Sequence, residues 1–181
     1  LGETTLLGSV VRGLQHLPKD YRLFIAGCDV EISNEASRLG VEYINTPSDA
    51  ASPAVRVAFA MRTLDVDAKD TVIIVQGDEP MVKTEHVVGI SVALQADELN
   101  RCVNLLAPCP EKDFHSPNVV KAVTNKVGNI LYMSRAGIPR ASHPLSRKAN
   151  PWKQTGIFGF KWSLLNQMAF NMSDSELEQV E

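Results

Sequence analysis

The chain is short of cysteine, of long apolar runs and of excess basic charge, and each shortage removes a class of protein. Its three cysteines, Cys28, Cys102 and Cys109, have no C-x-x-C spacing and form no paired framework, which fits a reducing compartment and reads them as core residues. No apolar run approaches the roughly 20 residues of a membrane span. The opening "LGETTLLGSVVRGL" has neither the charged segment nor the cleavage site of a signal peptide, so the chain reads as cytoplasmic, with no membrane insertion. Eighteen Lys and Arg against 21 Asp and Glu leave a net charge of −3. That balance gives no basic stripe for a nucleic acid and points to a small-molecule partner. The four histidines, His16, His86, His115 and His143, are far apart and lack metal-ligand spacing, which argues against zinc. There is no P-loop, no G-x-G-x-x-G and no G-x-S-x-G elbow to support a dinucleotide or serine-hydrolase reading.

What is present is a βα rhythm. "TTLLGSVVRGLQHL" spaces Leu6, Val10, Leu14 and Leu17 as a helix that Pro18 ends. "YRLFIAGCD", "VEYINT" and "TVIIVQGD" read as strands, separated by the helices "EISNEASRLG" and "SPAVRVAFAMRTL". "TEHVVGISVALQAD" follows as a helix capped by Thr84 with Val87, Val88 and Val92 inward. Apolar strands alternating with helices predict an α/β fold with a mainly parallel sheet covered on both faces. From residue 101 the rhythm changes. "RCVNLLAPCP" is a strand, and "NVVKAVTNKVGNILYMSR" predicts an inserted antiparallel hairpin turning at Gly128. "RASHPLSRKANPW" reads as a polar loop, "TGIFGFKW" as a strand and "SLLNQMAF" as a helix capped by Ser163, and a last helix begins at Ser173 or Ser175. One domain is expected.

In open parallel sheets ligands sit beyond the carboxyl ends of the strands. Asp78 lies at such an end, in "QGDEP", where its carboxylate could hold Mg²⁺ and Gly77 could admit a phosphate or sugar close to the backbone. Asp29 ends another strand in the same way. Both acids could equally terminate strands and cap the helices that follow. Among the basic residues, Arg56, Lys121, Arg135, Arg140, Arg147, Lys148 and Lys153 lie near strand ends or in the loop of the 140s. Arg135 stands out because it follows a strand directly, and its planar fork suits a carboxylate. Its alternative is a surface ion pair.

The blocks "VQGDEPMV", "SPNVVKAVTNKVGNILYMSRAGIPR", "KQTGIFGF" and "SELEQVE" resemble, in order and spacing, the 3-deoxy-manno-octulosonate cytidylyltransferases, or CMP-Kdo synthetases. The resemblance covers essentially the whole chain. It implies a three-layer, Rossmann-like nucleotidyltransferase fold and a reaction of CTP with an acidic eight-carbon sugar, giving CMP-sugar and pyrophosphate for lipopolysaccharide synthesis. Mg²⁺ is the implied cofactor and a homodimer the implied assembly, with the hairpin from Val119 to Tyr132 as its contact surface. Carried over by position, Asp78 would bind the metal and Arg135 would meet the sugar carboxylate. Gln76, Glu79, Lys121, Gln154, Glu178 and Glu181 would contact the sugar, and Ser52 and Arg56 the nucleotide. Other acidic sugars of the acylneuraminate kind, or a non-catalytic binding relative, remain open.

The sequence departs from the family pattern at several places. The family's "SGTDR" is "SPAVR" here, keeping Ser52 and Arg56 but replacing the glycine, hydroxyl and acid by Pro53, Ala54 and Val55. Gln154 takes the place of a histidine, Phe158 of a tyrosine and Glu176 of a proline. The family's first strand, with its triphosphate-binding loop, would precede Leu1, and a second metal-binding aspartate would follow Glu181. The 181 residues are therefore expected to be a fragment with a gap in its sheet, poorly stable and inactive by itself.

Overall fold

The computed structural model describes residues 4–139 and 151–171. The chain divides into two compact units, Leu1–Val103 with Gly156–Glu181, and Asn104–Thr155. A single domain was the sequence expectation.

In the first unit the βα rhythm is as read. Helix α1 (Leu6–Gly13) starts at Thr5, whose hydroxyl accepts the Gly8 N–H at 2.9 Å, and buries Val10. Strand β1 (Phe24–Gly27), helix α2 (Val30–Leu39) and strand β2 (Glu42–Asn45) form a βαβ unit in which β1 and β2 pair in parallel. Gly40 closes α2 in the left-handed conformation, at φ 67°, that a C-terminal cap needs. Helix α3 (Pro53–Met61) is capped by Ser52, and Pro53 sits at its first turn, where a missing N–H costs nothing. Strand β3 (Thr71–Val75) then leads to helix α4 (Thr84–Gln95).

The last parts of this unit are the carboxyl half of strand β7 (Trp152–Lys161), antiparallel to β3, and helix α6 (Trp162–Asn171). Val72 and Ile74 of β3, Phe160 of β7, Ala58 and Met61 of α3, and Trp162 and Leu165 of α6 make one buried cluster. Phe59 and Phe170 meet edge to face beside it, with ring centres 5.0 Å apart. On α4 the buried residues Val87, Ile90, Ser91 and Leu94 follow helical spacing and pack over Gly159, where any Cβ would collide with Ile90 and Leu94.

The second unit carries the inserted antiparallel hairpin. Strand β5 (Lys121–Thr124) pairs with β6 (Ile130–Ser134), with a bulge between Val123 and Thr124. Asn125 Oδ1 accepts the N–H groups of Val127 and Asn129 at 3.1 and 2.9 Å, and Gly128 takes φ 92°. The amino half of β7 pairs with β5 here, and strand β4 (Cys102–Pro108) also pairs with β7.

Four expectations change. The cap of α4 is Lys83, because the Thr84 hydroxyl turns to the Gly13 carbonyl (3.4 Å) and His86 Nδ1 accepts the Lys83 N–H (3.3 Å). Val92, expected inward, is 59% exposed. Helix α6 begins at Trp162 without a Ser163 cap, since the Asp70 and Ala68 carbonyls take the first amides, at 2.8 and 3.2 Å. Of the cysteines only Cys109 is buried; Cys28 is half-buried, and Cys102 is exposed at the first residue of β4. The short helix α5 (Glu111–Phe114) was not expected. The loop of the 140s and the last helix lie outside the described residues.

Candidate active site

At the carboxyl end of β3 the chain enters a tied turn. The Glu79 N–H closes it onto the Gln76 carbonyl at 3.1 Å. Gly156 of β7 uses both its backbone groups on the same turn: its carbonyl accepts the Gln76 N–H at 2.9 Å, and its N–H donates to Glu79 Oε1 at 2.6 Å. A charge-assisted bond of this length is a strong tie. A Cβ on Gly156 would stand 2.5 Å from Gln76 Oε1 and 3.0 Å from Gln76 Cβ, so any larger residue has to displace the Gln76 side chain. Gly77 has no such constraint. A Cβ on it would touch only Leu7, at 4.0 Å, so what the glycine leaves is bare, accessible backbone.

This turn borders a cleft of about 550 Å³ lined by Ser52, Arg56, Gln76, Gly77 and Asp78 over a floor that includes Ala26, Val57 and Ile74. All five of these residues were singled out from sequence, and they meet at one place in the first unit. Ser52 enters because it caps α3, its Oγ accepting the Val55 N–H at 3.3 Å, so the amino end of that helix, where anions are favoured, borders the cleft. Arg56 lies one turn into α3. Its guanidinium donates to Thr46 Oγ1 (2.7 Å) and the Pro47 carbonyl (3.1 Å), and the buried Thr46 hydroxyl donates to the Gly27 carbonyl (3.0 Å). The chain from Gly27 through Thr46 fixes the arginine beside the cleft. Sequence reading missed Thr46; its position directly after β2, on the strand end where ligands gather, was the available signal.

Asp78 is exposed, and among the described residues its carboxylate has no hydrogen-bond or ion-pair partner. Among the described residues it is the one acid lining the cleft and Arg56 the one base. Glu79 faces the turn instead, one of its oxygens committed to Gly156. Asp29 stands at the cap of α2 without a side-chain cap bond.

The remaining candidates belong to the second unit. Arg135 is exposed after β6, its guanidinium donating to the Pro117 carbonyl at 3.1 Å. Lys121 is fully buried, its ammonium donating to the carbonyls of Ser116 (2.8 Å), Val119 (2.6 Å) and Arg135. Gln154 is half-buried, and its N–H donates to the Val120 carbonyl at 2.9 Å. Lys153 pairs with Asp113 at 2.7 Å and holds that carboxyl below its usual range. Glu178, Glu181, Arg140, Arg147 and Lys148 lie outside the described residues.

A nucleotide-sized cleft at a strand end, with one free acid, one base and a helix amino terminus, suits a phosphorylated ligand. A family model described as Cytidylyltransferase matches residues 1–181. The chain belongs to the cytidylyltransferase family. This cytidylyltransferase chain is similar to the 3-deoxy-manno-octulosonate cytidylyltransferase of Syntrophobacter fumaroxidans, 32% identical over 161 residues, which cover 88% of this chain and 64% of the relative. The enzyme of the same name from Koribacter versatilis is 33% identical over 177 residues, 98% of this chain and 65% of that one. The cytidylyltransferase chain therefore spans just under two thirds of the length of these relatives. Its fold is similar to that of CMP:2-keto-3-deoxy-manno-octonic acid synthetase complexed with CTP, at a TM-score of 0.82 and 23% identity, covering 97% of this chain and 73% of the other.

Proposed function

We propose that this chain is the larger part of a cytidylyltransferase that activates Kdo with CTP, releasing pyrophosphate, in the cytoplasmic supply of lipopolysaccharide precursors. The observation that carries the reading is the cleft at the end of β3, where Asp78, free of other described partners, shares one space with Arg56, Ser52 and the amino end of α3. The relatives' names supply the substrate class. In the proposed reaction the sugar's anomeric oxygen bonds to the α-phosphorus of CTP, the bond to the pyrophosphate oxygen breaks, and the hydroxyl proton leaves to solvent. By the family resemblance Ser52 and Arg56 bind the nucleotide, Gln76, Glu79 and Gln154 contact the sugar, and the Arg135 fork reads its carboxylate. Catalysis of this kind needs position and charge more than a nucleophilic side chain.

Mg²⁺ fits the residues present. Asp78 offers the hard, unclaimed carboxylate oxygen such an ion takes, and Mg²⁺ characteristically binds one or two carboxylates together with substrate phosphates. When bound it would offset charge on the triphosphate as pyrophosphate leaves.

Two features support further parts of the proposal. Both β1 and β3 have an edge without a partner strand among the described residues, and a cavity of about 520 Å³ with Phe24, Thr71, Ile73 and Val75 in its walls lies along them. A further strand, from chain beyond these 181 residues, fits there. On the hairpin, Val127, Leu131 and Tyr132 are exposed, and β6 ends the strand order, which supports pairing of two copies through this face.

The test is pyrophosphate release by the full-length protein with Mg²⁺, offering each nucleoside triphosphate with Kdo or N-acetylneuraminate. Release with CTP and Kdo alone is expected. Release with CTP and N-acetylneuraminate instead would move the substrate to another acidic sugar, and no release with any pair would overturn the enzymatic reading.

A further inference from the structure

Among the described residues Lys121 is the largest side chain with essentially no exposure to solvent. Ammonium groups are rarely buried, because they lose strong hydration, and an apolar residue of the same volume would fill the space without that penalty. What an ammonium adds is three directed donors. All three are used here, on the carbonyls of Ser116, Val119 and Arg135, so the group keeps no proton for a ligand and has no surface by which to reach one.

The acceptors come from two places in the second unit. Ser116 and Val119 belong to the loop before β5, and Arg135 is the residue just after β6. Arg135 is also tied to that loop by its side chain, through the Pro117 carbonyl at 3.1 Å. The arginine is therefore held twice on the 116–119 segment, by its main chain through Lys121 and by its guanidinium through Pro117.

We propose that Lys121 is a positioning residue for Arg135: it sets the main chain from which the guanidinium reaches the acidic substrate and takes no part in contact with that substrate. The proposal rests on the reading of Arg135 as the carboxylate-binding arginine. It replaces a direct contact between Lys121 and the sugar with an indirect one, and so predicts a selective kinetic signature. Removing the three donors loosens the arginine and weakens the acidic substrate, while the nucleotide site, built in the other unit, is unaffected.

The experiment is a double-mutant cycle in the full-length protein, with Lys121→Met, Arg135→Ala and the double variant assayed by pyrophosphate release. Lys121→Met should raise the sugar KM by about tenfold and change the CTP KM by less than about twofold. On the Arg135→Ala background it should add less than about twofold to the sugar KM, because the residue through which it acts is gone. An equal increase on both backgrounds, an unchanged sugar KM, or a parallel rise in both KM values would overturn the proposal. If Arg135→Ala itself leaves the sugar KM unchanged, it is the carboxylate reading that falls, and Lys121 then has no arginine to position for catalysis. Should Lys121→Met not fold, lysine acetylation of the wild-type protein followed by mass spectrometry decides. Lys121 should stay unmodified while the exposed Lys126 reacts, and equal labelling of the two would overturn the buried anchor.

Discussion

Asp78 in the turn and Gly156 in the strand tied to it serve the site in different ways. Asp78 is exposed and has no partner among the described residues, so Asp78→Asn should leave the unfolding midpoint within about 0.5 kcal/mol of wild type while abolishing pyrophosphate release by the full-length protein. Undiminished release would remove the metal assignment. Gly156 lies beneath Gln76, and the methyl of Gly156→Ala must push that side chain aside or part the turn from β7. A fall in kcat/KM of about tenfold or more is expected, and an unchanged value would show that Gln76 need not stay where it lies. A third residue reports on pH. Glu35 accepts hydrogen bonds from Arg38 at 2.6 and 2.7 Å and from the Thr5 hydroxyl, and these hold its carboxyl at about 2, below its ordinary 4.5. Because the folded value is the lower one, its stabilisation is complete above 4.5 and is lost as pH falls towards 2. Urea midpoints of wild type should drop more steeply over that window than those of Glu35→Gln; parallel curves would show that the pair does nothing for stability. Asp78 was legible in the sequence because an acid after a β-branched run marks a strand end. The commitment of Glu79 to Gly156 was not, since the two are 77 residues apart and no local pattern links them.

At the level of elements, period and punctuation carried the reading where an element had both. The strands, the helices and the hairpin turn at Gly128 were legible from apolar spacing and glycine. The two caps read from the sequence, Thr84 and Ser163, do not hold, because propensity does not say which group reaches the first amides. At α4 the Lys83 amide bonds to the His86 ring of the same helix while the Thr84 hydroxyl turns to Gly13, at α6 the Asp70 and Ala68 carbonyls take the first amides, and four-residue α5 is too short to show a period. On α4 the sequence reading holds for Val87 but takes the exposed Val92 for a core residue, and substitution separates the two environments. Leu94 has no exposure and packs on Gly159, so Leu94→Ala should cost about 2–5 kcal/mol in urea unfolding. Val92→Ala in the 181-residue chain should stay within about 0.5 kcal/mol. Equal costs would mean that the helix is rotated from the face described.

The exposure of Val92 raises a question at the scale of the whole molecule. Val92 lies in the wall of the cavity along β1 and β3, together with Val87, Ile73 and Phe24. An element of the sheet lying outside these 181 residues would leave such a valine open to solvent, and among the described residues two strand edges without partners border the same space. Periodicity read the valine as buried because periodicity registers what a face is built to contact, and it carries no information on whether the contact lies within the 181 residues. If a strand from a longer natural chain fills the slot, three measurements should move together in that longer protein. The outward amides of Phe24–Gly27 and Thr71–Val75 should become protected from hydrogen exchange. The melting temperature should rise above that of the 181-residue chain, and Val92→Ala, nearly silent in the shorter protein, should cost about 1 kcal/mol or more. Unchanged exchange at both edges would show that β1 and β3 remain open in the longer protein, and the valine would then have to be explained by something other than a strand.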